Sequence, residues 1–334
     1  MLMSRIVVFI ENQSYFNFSK PYLDVLDKMS IEYEIFTLEK LEEFNTEAIK
    51  ISVFENQKIL NKSLANLECD YFISTTPGIG SVYFAKSKIL PKNKRPKYIY
   101  FFHSLVSPNE NYVENSFSGF DIILSPNSTI TNHIEYLINK KNTEVFTVGY
   151  HHLERNNEEY ENTNNILIAP SWGQDNIFSD KYNEQFLNLI EILNNSGKKV
   201  FLRPHPMDLK NLTKLEKIEN TELYLTNNIT LQIFDYLITD WSGISLEYFY
   251  STRKTVGFLD TPKKVKRKLK SKEANLELTE NMIRNKIGPV IDLNNIDINN
   301  LFYFKYQKSQ YIENLFLPEF QSKSIENVLR NIFK

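Results

Sequence analysis

A single cysteine among 334 residues excludes an intramolecular disulfide and points to a reducing compartment. That residue, Cys69, precedes Asp70 and borders the apolar run Tyr71–Ile73, a setting for a buried structural thiol and not for a nucleophile. Glycine is also scarce, at nine residues, so each one is expected at a turn or a close backbone approach. Neither sign of charge is in excess: 39 basic against 41 acidic residues leave a formal net charge of -2, which argues against a nucleic-acid-coating protein. No apolar run approaches the roughly 20 residues of a spanning helix. The N-terminal MLMSRIVVFIENQ is interrupted by Glu11 before it reaches the length of a secretory core. A cytoplasmic chain is therefore expected, with peripheral contact at the inner face of the cell membrane. His133, His151 and His152 lack metal-ligand spacing with any cysteine or carboxylate, so no metal site is expected.

What is present is ordinary for a soluble folded chain, 42% hydrophobic and 24% charged, and the length suits two domains. Short apolar or β-branched runs alternate with amphipathic stretches. Strands are expected at Arg5–Ile10, Tyr33–Leu38, Tyr71–Ser74, Tyr98–Phe102, Asp121–Leu124 and Glu144–Val148. A second set follows at Asn165–Ala169, Lys199–Arg203, Glu222–Leu225, Asp235–Ile238, Thr255–Leu259 and Val290–Asp292. Helices are clearest at Phe16–Met29, Lys181–Asn195, Ile244–Tyr250 and Ser324–Ile332. This alternation indicates an α/β fold with parallel sheets. The polar, aperiodic stretch Leu153–Asn164 reads as a linker. Expected domains are thus 1–152 and 165–310, with a helical segment over 311–334 that returns to the N-terminal domain.

Ligands of open α/β sheets bind beyond the carboxyl ends of strands, which directs attention to five junctions. Lys199–Leu202 runs into Arg203-Pro204-His205-Pro206, where a guanidinium and an imidazole suit phosphate oxygens, although a rigid turn explains the same residues. The strand ending in Asp240 opens onto Trp241-Ser242-Gly243-Ile244-Ser245-Leu246-Glu247. Ser242 suits an N-cap, Gly243 permits close approach, and Ser245 adds a hydroxyl. Free amides there fit a diphosphate and Glu247 fits ribose hydroxyls; an ordinary cap would account for the serines but not for Asp240-Trp241. His103-Ser104 ends an apolar strand in the first half, where the histidine is either a general base or a satisfied structural residue. Pro170-Ser171-Trp172-Gly173 is a turn whose Ser171 and Trp172 border the same region, with Trp172 able to stack on a base or sugar. Thr75-Thr76-Pro77-Gly78-Ile79-Gly80 resembles a phosphate loop only weakly. Apart from these, seven of the ten residues Lys263–Lys272 are basic, either a solvated loop or a contact for anionic head groups.

Taken in order, these motifs resemble one family. ITDWSGISLEY is similar to the TDYSSxxFD signature of CDP-glycerol glycerophosphotransferases, the teichoic acid polymerase and primase group. RPHP resembles that family's RxHP, APSW its PTWR segment, and FFHS its HG motif. The resemblance is concentrated in Ala169–Asp260. Gly243 stands in place of a serine, Glu247 of an aspartate, Ser104 of a glycine and Gly173 of an arginine. The resemblance implies a GT-B-like fold, two Rossmann-like domains with parallel sheets facing a cleft. It implies transfer of a phospho-alcohol from a CDP-activated donor to a hydroxyl of a surface glycan or lipid-linked acceptor, such as a capsule precursor, with release of CMP. His103 would be the base, with His205 the second catalytic candidate. Arg203, Asp240, Ser242, Gly243, Ser245, Glu247, Ser171 and Trp172 would hold the donor. Neither a cofactor nor a metal is implied, and no nucleic acid partner. A GT-B glycosyltransferase using a UDP- or CMP-linked sugar, a nucleotide-sugar 2-epimerase and a non-catalytic nucleotide-binding subunit are the alternatives.

Overall fold

The computed structural model describes residues 5–41, 49–64, 67–78, 95–113, 115–138, 142–150, 163–225, 230–263, 268–273, 275–306, 312 and 322–333. The chain forms two compact units. The first comprises Met1–His152, Lys266–Leu276 and Leu315–Lys334; the second comprises Leu153–Val265 and Glu277–Asn314.

In the first unit seven strands lie in the order β3-β2-β1-β4-β5-β6-β7, all paired in parallel. They are β1 (Ile6–Ile10), β2 (Tyr33–Thr37), β3 (Lys50–Val53), β4 (Tyr71–Ser74), β5 (Lys97–Phe101), β6 (Ile122–Ser125) and β7 (Glu144–Thr147). Every residue of IVVFI in β1 is buried, because a central parallel strand is covered on both faces. The pleat sends alternate residues to opposite cores. Ile6, Val8 and Ile10 pack with Tyr22, Leu23 and Leu26 of the helix Gln13–Lys28 and with Ile325 and Leu329 of the C-terminal helix Ser322–Ile332. Val7 and Phe9 enter the other core with Phe72, Tyr100, Phe102 and Ile130. The C-terminal helix is tied further by the Tyr71 hydroxyl, which donates to the carbonyl of Ile332 at 2.6 Å.

In the second unit the order is β10-β9-β8-β11-β12-β13, again parallel. The strands are β8 (Asn165–Ile168), β9 (Lys199–Leu202), β10 (Thr221–Leu223), β11 (Tyr236–Thr239), β12 (Val256–Leu259) and β13 (Val290–Ile291). Renumbered from its own first strand, each unit shows the dinucleotide-fold order 3-2-1-4-5-6, the first with a seventh strand added at its edge.

Several sequence expectations shift. Strand β3 and the helix Gln57–Leu64 were not anticipated: KISV is a half-exposed edge strand and gives no apolar run. The helix after β1 begins at Gln13, capped by Asn12, whose side chain accepts from the Tyr15 amide. Of the expected linker, residues 153–162 lie outside the described residues. Thr163 and Asn164 are not linker: both amides donate to the Asp235 carboxylate, at 2.9 and 2.6 Å.

Candidate active site

In the second unit, the order reverses between β8 and β11, and the loops leaving these two strands are bonded to each other. Asp240, 2% exposed, accepts from the amide and hydroxyl of Ser171 at 2.7 and 2.8 Å and from the Trp241 amide at 2.6 Å. Burial pushes its carboxyl above the ordinary range, and the Ser171 and Trp241 donors oppose that. The Asp240 carboxylate therefore holds the crevice together and is spent on protein donors. Ser245 is buried likewise, its hydroxyl donating to the Ser242 carbonyl at 2.8 Å.

Ser242 does not cap the following helix. The helix Ile244–Thr252 starts from Gly243, itself in helical conformation, with no side-chain cap. The first turn is tightened instead by Ser245 and Leu246 amides donating to Ser242 and Gly243 carbonyls. Ser242 and Gly243 beside it are both partly exposed in this loop.

On the other side of β8, strand β9 delivers Arg203 and His205. The Arg203 guanidinium donates to the Tyr224 carbonyl at 3.2 Å, and burial lowers its pKa, while Tyr224 and Glu247 act to raise it. Arg203 and Glu247 therefore share one electrostatic neighbourhood across the β9 and β11 loops. His205 accepts at Nδ1 from the Met207 amide at 3.1 Å, so its neutral ring carries the proton on Nε2. The Trp172 ring lies 6.5 Å from the His205 ring. Sequence reasoning missed what ties these loops: Asn176 donates to Gly173 and to the buried Asp208 carboxylate, at 2.9 and 2.6 Å. An isolated Asn and Asp 32 positions apart give no motif.

His103 belongs to the first unit, at the end of β5. Its Nδ1 is 3.0 Å from the Thr75 carbonyl, which can only accept, so Nδ1 is protonated and Nε2 is the basic nitrogen. Tyr15 meets the imidazole edge-on at 4.9 Å between ring centres. The reversal point of this sheet lies between β1 and β4 and is also bridged: Thr76 donates to Glu11 at 3.1 Å. Glu11, which sequence reading treated only as the end of an apolar run, thus occupies the equivalent junction. Of the loop Thr75–Gly80, Ile79 and Gly80 lie outside the described residues, as do His151 and His152.

Of the basic stretch, residues 264–267 lie outside the described residues. Lys263 donates to Asn281 at 3.2 Å and sits 5.2 Å from the Trp241 ring centre. Lys272 donates to the Tyr136 carbonyl at 3.1 Å. Glu273, fully buried, accepts from Asn109 at 2.7 Å and from the Lys270 amide at 2.8 Å, anchoring this stretch to the first unit. Among the described residues no cluster of three His, Cys, Asp or Glu side chains is placed to hold a metal ion, and no helix is long and apolar enough to cross a membrane.

The family model described as CDP-glycerol:poly(glycerophosphate) glycerophosphotransferase matches residues 117–334. The chain belongs to this glycerophosphotransferase family. The match includes the whole second-unit site and excludes His103. The structure of the wall teichoic acid polymerase TagF is similar with a TM-score of 0.62 and 14% identity, over 99% of this chain and 89% of that one. The UDP-GlcNAc 2-epimerase of Methanocaldococcus jannaschii, solved with UDP-GlcNAc and UDP, gives 0.64 at 12% identity, over 98% and 99%. A TagF H444N variant soaked with CDPG gives 0.58 at 14% identity, over 98% and 88%. At these identities the likeness establishes the GT-B-type fold, and the family match identifies this glycerophosphotransferase as a transferase. No curated protein matches the sequence.

Proposed function

We propose that the chain moves glycerol phosphate, or a close phospho-alcohol, from a CDP-activated donor to a hydroxyl of a surface glycan or lipid-linked acceptor. The observation that carries this reading is the second-unit crevice: Ser171 and Asp240 bind its two loops together, with Arg203, His205 and Trp172 at the neighbouring strand ends. The family match over that unit supports a CDP-linked donor.

In this reading the acceptor hydroxyl gives its proton to Nε2 of His103 and attacks the phosphorus that carries the alcohol. The new phosphodiester bond forms as the bridging oxygen to CMP departs with its electron pair. Arg203 and His205 stabilise the charge that grows on the leaving phosphate, fixed donors that need no rearrangement during the reaction. Ser242 and the Gly243 amide bind phosphate oxygens. Glu247 accepts from ribose hydroxyls, and Trp172 stacks on the base or sugar. Asp240 and Ser245 act one step back, holding the loop that does this. Lys263–Lys272 would draw the protein to anionic lipid head groups that carry the acceptor.

The test is a donor panel of CDP-glycerol, CDP-ribitol, CMP-sugars and UDP-sugars, with the products read by phosphorus NMR and mass spectrometry. CMP release from a CDP-alcohol with a new phosphodiester, unchanged by EDTA, is the expected result. Release only from a sugar nucleotide, with a glycosidic product, would reassign the crevice to glycosyl transfer. Donor binding without turnover for any acceptor would favour a binding subunit.

A further inference from the structure

Arg284 follows the short helix Thr279–Ile283 and belongs to none of the sequence motifs. Its guanidinium nevertheless lies beneath the donor loop. One nitrogen donates to the Asp240 carbonyl at 3.1 Å and another to the Leu259 carbonyl at 2.9 Å, joining the ends of the adjacent strands β11 and β12. The same plane is 4.1 Å from the centre of the Trp241 ring. Trp241 is held at its edge as well, where its Nε1 donates to the Thr261 carbonyl at 2.7 Å. Three constraints thus converge on the residue between Asp240 and Ser242: a carbonyl anchor, a cation stacked on the ring, and a bonded indole.

The charges follow the same logic. The Asp240 carboxylate is buried beside the region assigned to an anionic diphosphate, and a negative charge there opposes the ligand. Burial lowers the pKa of Arg284, and the charges of Asp260 and Asp240 oppose that. An arginine keeps its charge throughout the physiological range, so the compensation is permanent. Lysine supplies the charge but not the planar fork that reaches two carbonyls while covering an indole.

We propose that Arg284 is a positioning residue for the donor: it sets the Asp240–Gly243 turn and offsets the Asp240 charge, so that the turn receives the donor phosphates. This rests on the assignment of that turn to the CDP-donor. Arg284 itself contacts the loop and not the reacting atoms, so its effect should fall on binding.

In the otherwise unaltered protein, CDP-glycerol binding is titrated by calorimetry and steady-state constants are measured for Arg284→Ala and Arg284→Lys. The expected result is a KM for CDP-glycerol raised about tenfold in Arg284→Ala with kcat within about threefold, and an intermediate rise in Arg284→Lys. Millimolar guanidinium should restore part of the affinity in Arg284→Ala and none in Arg284→Lys, whose side chain still fills the place. Wild-type KM in both variants overturns the proposal, as does a loss that tracks only the fraction unfolded in thermal melts and resists guanidinium. If the unaltered protein, natively folded by circular dichroism, binds no CDP-glycerol but does bind a sugar nucleotide, the donor assignment fails instead. The Arg284 comparison with that nucleotide then overturns or sustains the positioning role separately.

Discussion

A carbonyl decides the tautomer of His103. Because the Thr75 carbonyl can only accept, the proton stays on Nδ1 and the lone pair on Nε2, the form a general base needs. His103→Asn can keep a donor toward Thr75 and lacks the base, so kcat should fall by about 10²–10⁴ while the KM for CDP-glycerol stays near wild type. Steady-state kinetics with saturating acceptor measure this, and an unchanged kcat would remove the base assignment. Cys69 gives the opposite chemistry. Cys69 is half-buried and not fully enclosed; that partial burial, with smaller contributions from Asp70 and Glu34 and against the pull of Arg5, pushes its thiol up to about 12. The thiolate fraction at pH 8 drops accordingly, and alkylation by iodoacetamide should run about 10³-fold slower than for a free thiol of ordinary pKa. Rapid labelling of the native protein would refute this. The strand-end positions of His103, Arg203, His205, Ser171 and Trp172 were legible because each lies just beyond an apolar strand. Arg284, Glu11 and the Asn176–Asp208 pair were not, since their meaning lies in partners 44, 65 and 32 residues away.

At the level of elements, the two sheets solve one problem in the same way. Where strand order reverses, neighbouring loops diverge and expose polar backbone; a carboxylate on one loop and a hydroxyl on the other close the gap, Glu11 with Thr76 and Asp240 with Ser171. The central strands could be read from their apolar runs, whereas β3 could not, because an edge strand need not be apolar. Two of the scarce glycines have separable jobs. Gly197 follows the helix Asn183–Asn195 with φ of +72° and open space around it, and its amide donates to Asn194 as that of Lys198 donates to Leu193. That pairing is a helix-ending motif, so Gly197→Ala should cost only about 1 kcal/mol of left-handed strain. Gly288 is crowded: an added Cβ would stand 1.7 Å from the Val256 carbonyl oxygen, against the backbone of β12. Since a strand must move to admit it, Gly288→Ala should destabilise by about 3 kcal/mol. Denaturant unfolding of the two variants compares these costs directly, and an equal effect would contradict the difference in crowding.

Over the whole molecule, the chain does not complete one unit before it begins the other. The first unit draws on Lys266–Leu276 and Leu315–Lys334, segments that follow most of the second unit in sequence. Amphipathic spacing indicated a helix over Ser324–Ile332, which in the structure begins at Ser322, but which core it completes is decided by packing: Ile325 and Leu329 are buried on the face of β1 that the helix Gln13–Lys28 also covers. Tyr71 adds a bond to Ile332 and an edge-on contact with Phe333 at 4.8 Å between ring centres. Removing residues 322–334 takes two fully used apolar side chains from that core, each worth about 1.5–3 kcal/mol, and leaves a Tyr71 hydroxyl without its acceptor. The removed segment is part of the first unit. A truncated protein should therefore unfold in two steps, with the earlier transition assigned to the first unit by hydrogen exchange at β1 and β4. Protection at β8 and β11 should stay as in the full chain, and indole fluorescence from Trp172 and Trp241 should still respond to CDP-glycerol. If β8 and β11 lose protection together with β1, the two units unfold as one cooperative body, and the C-terminal helix contributes to both.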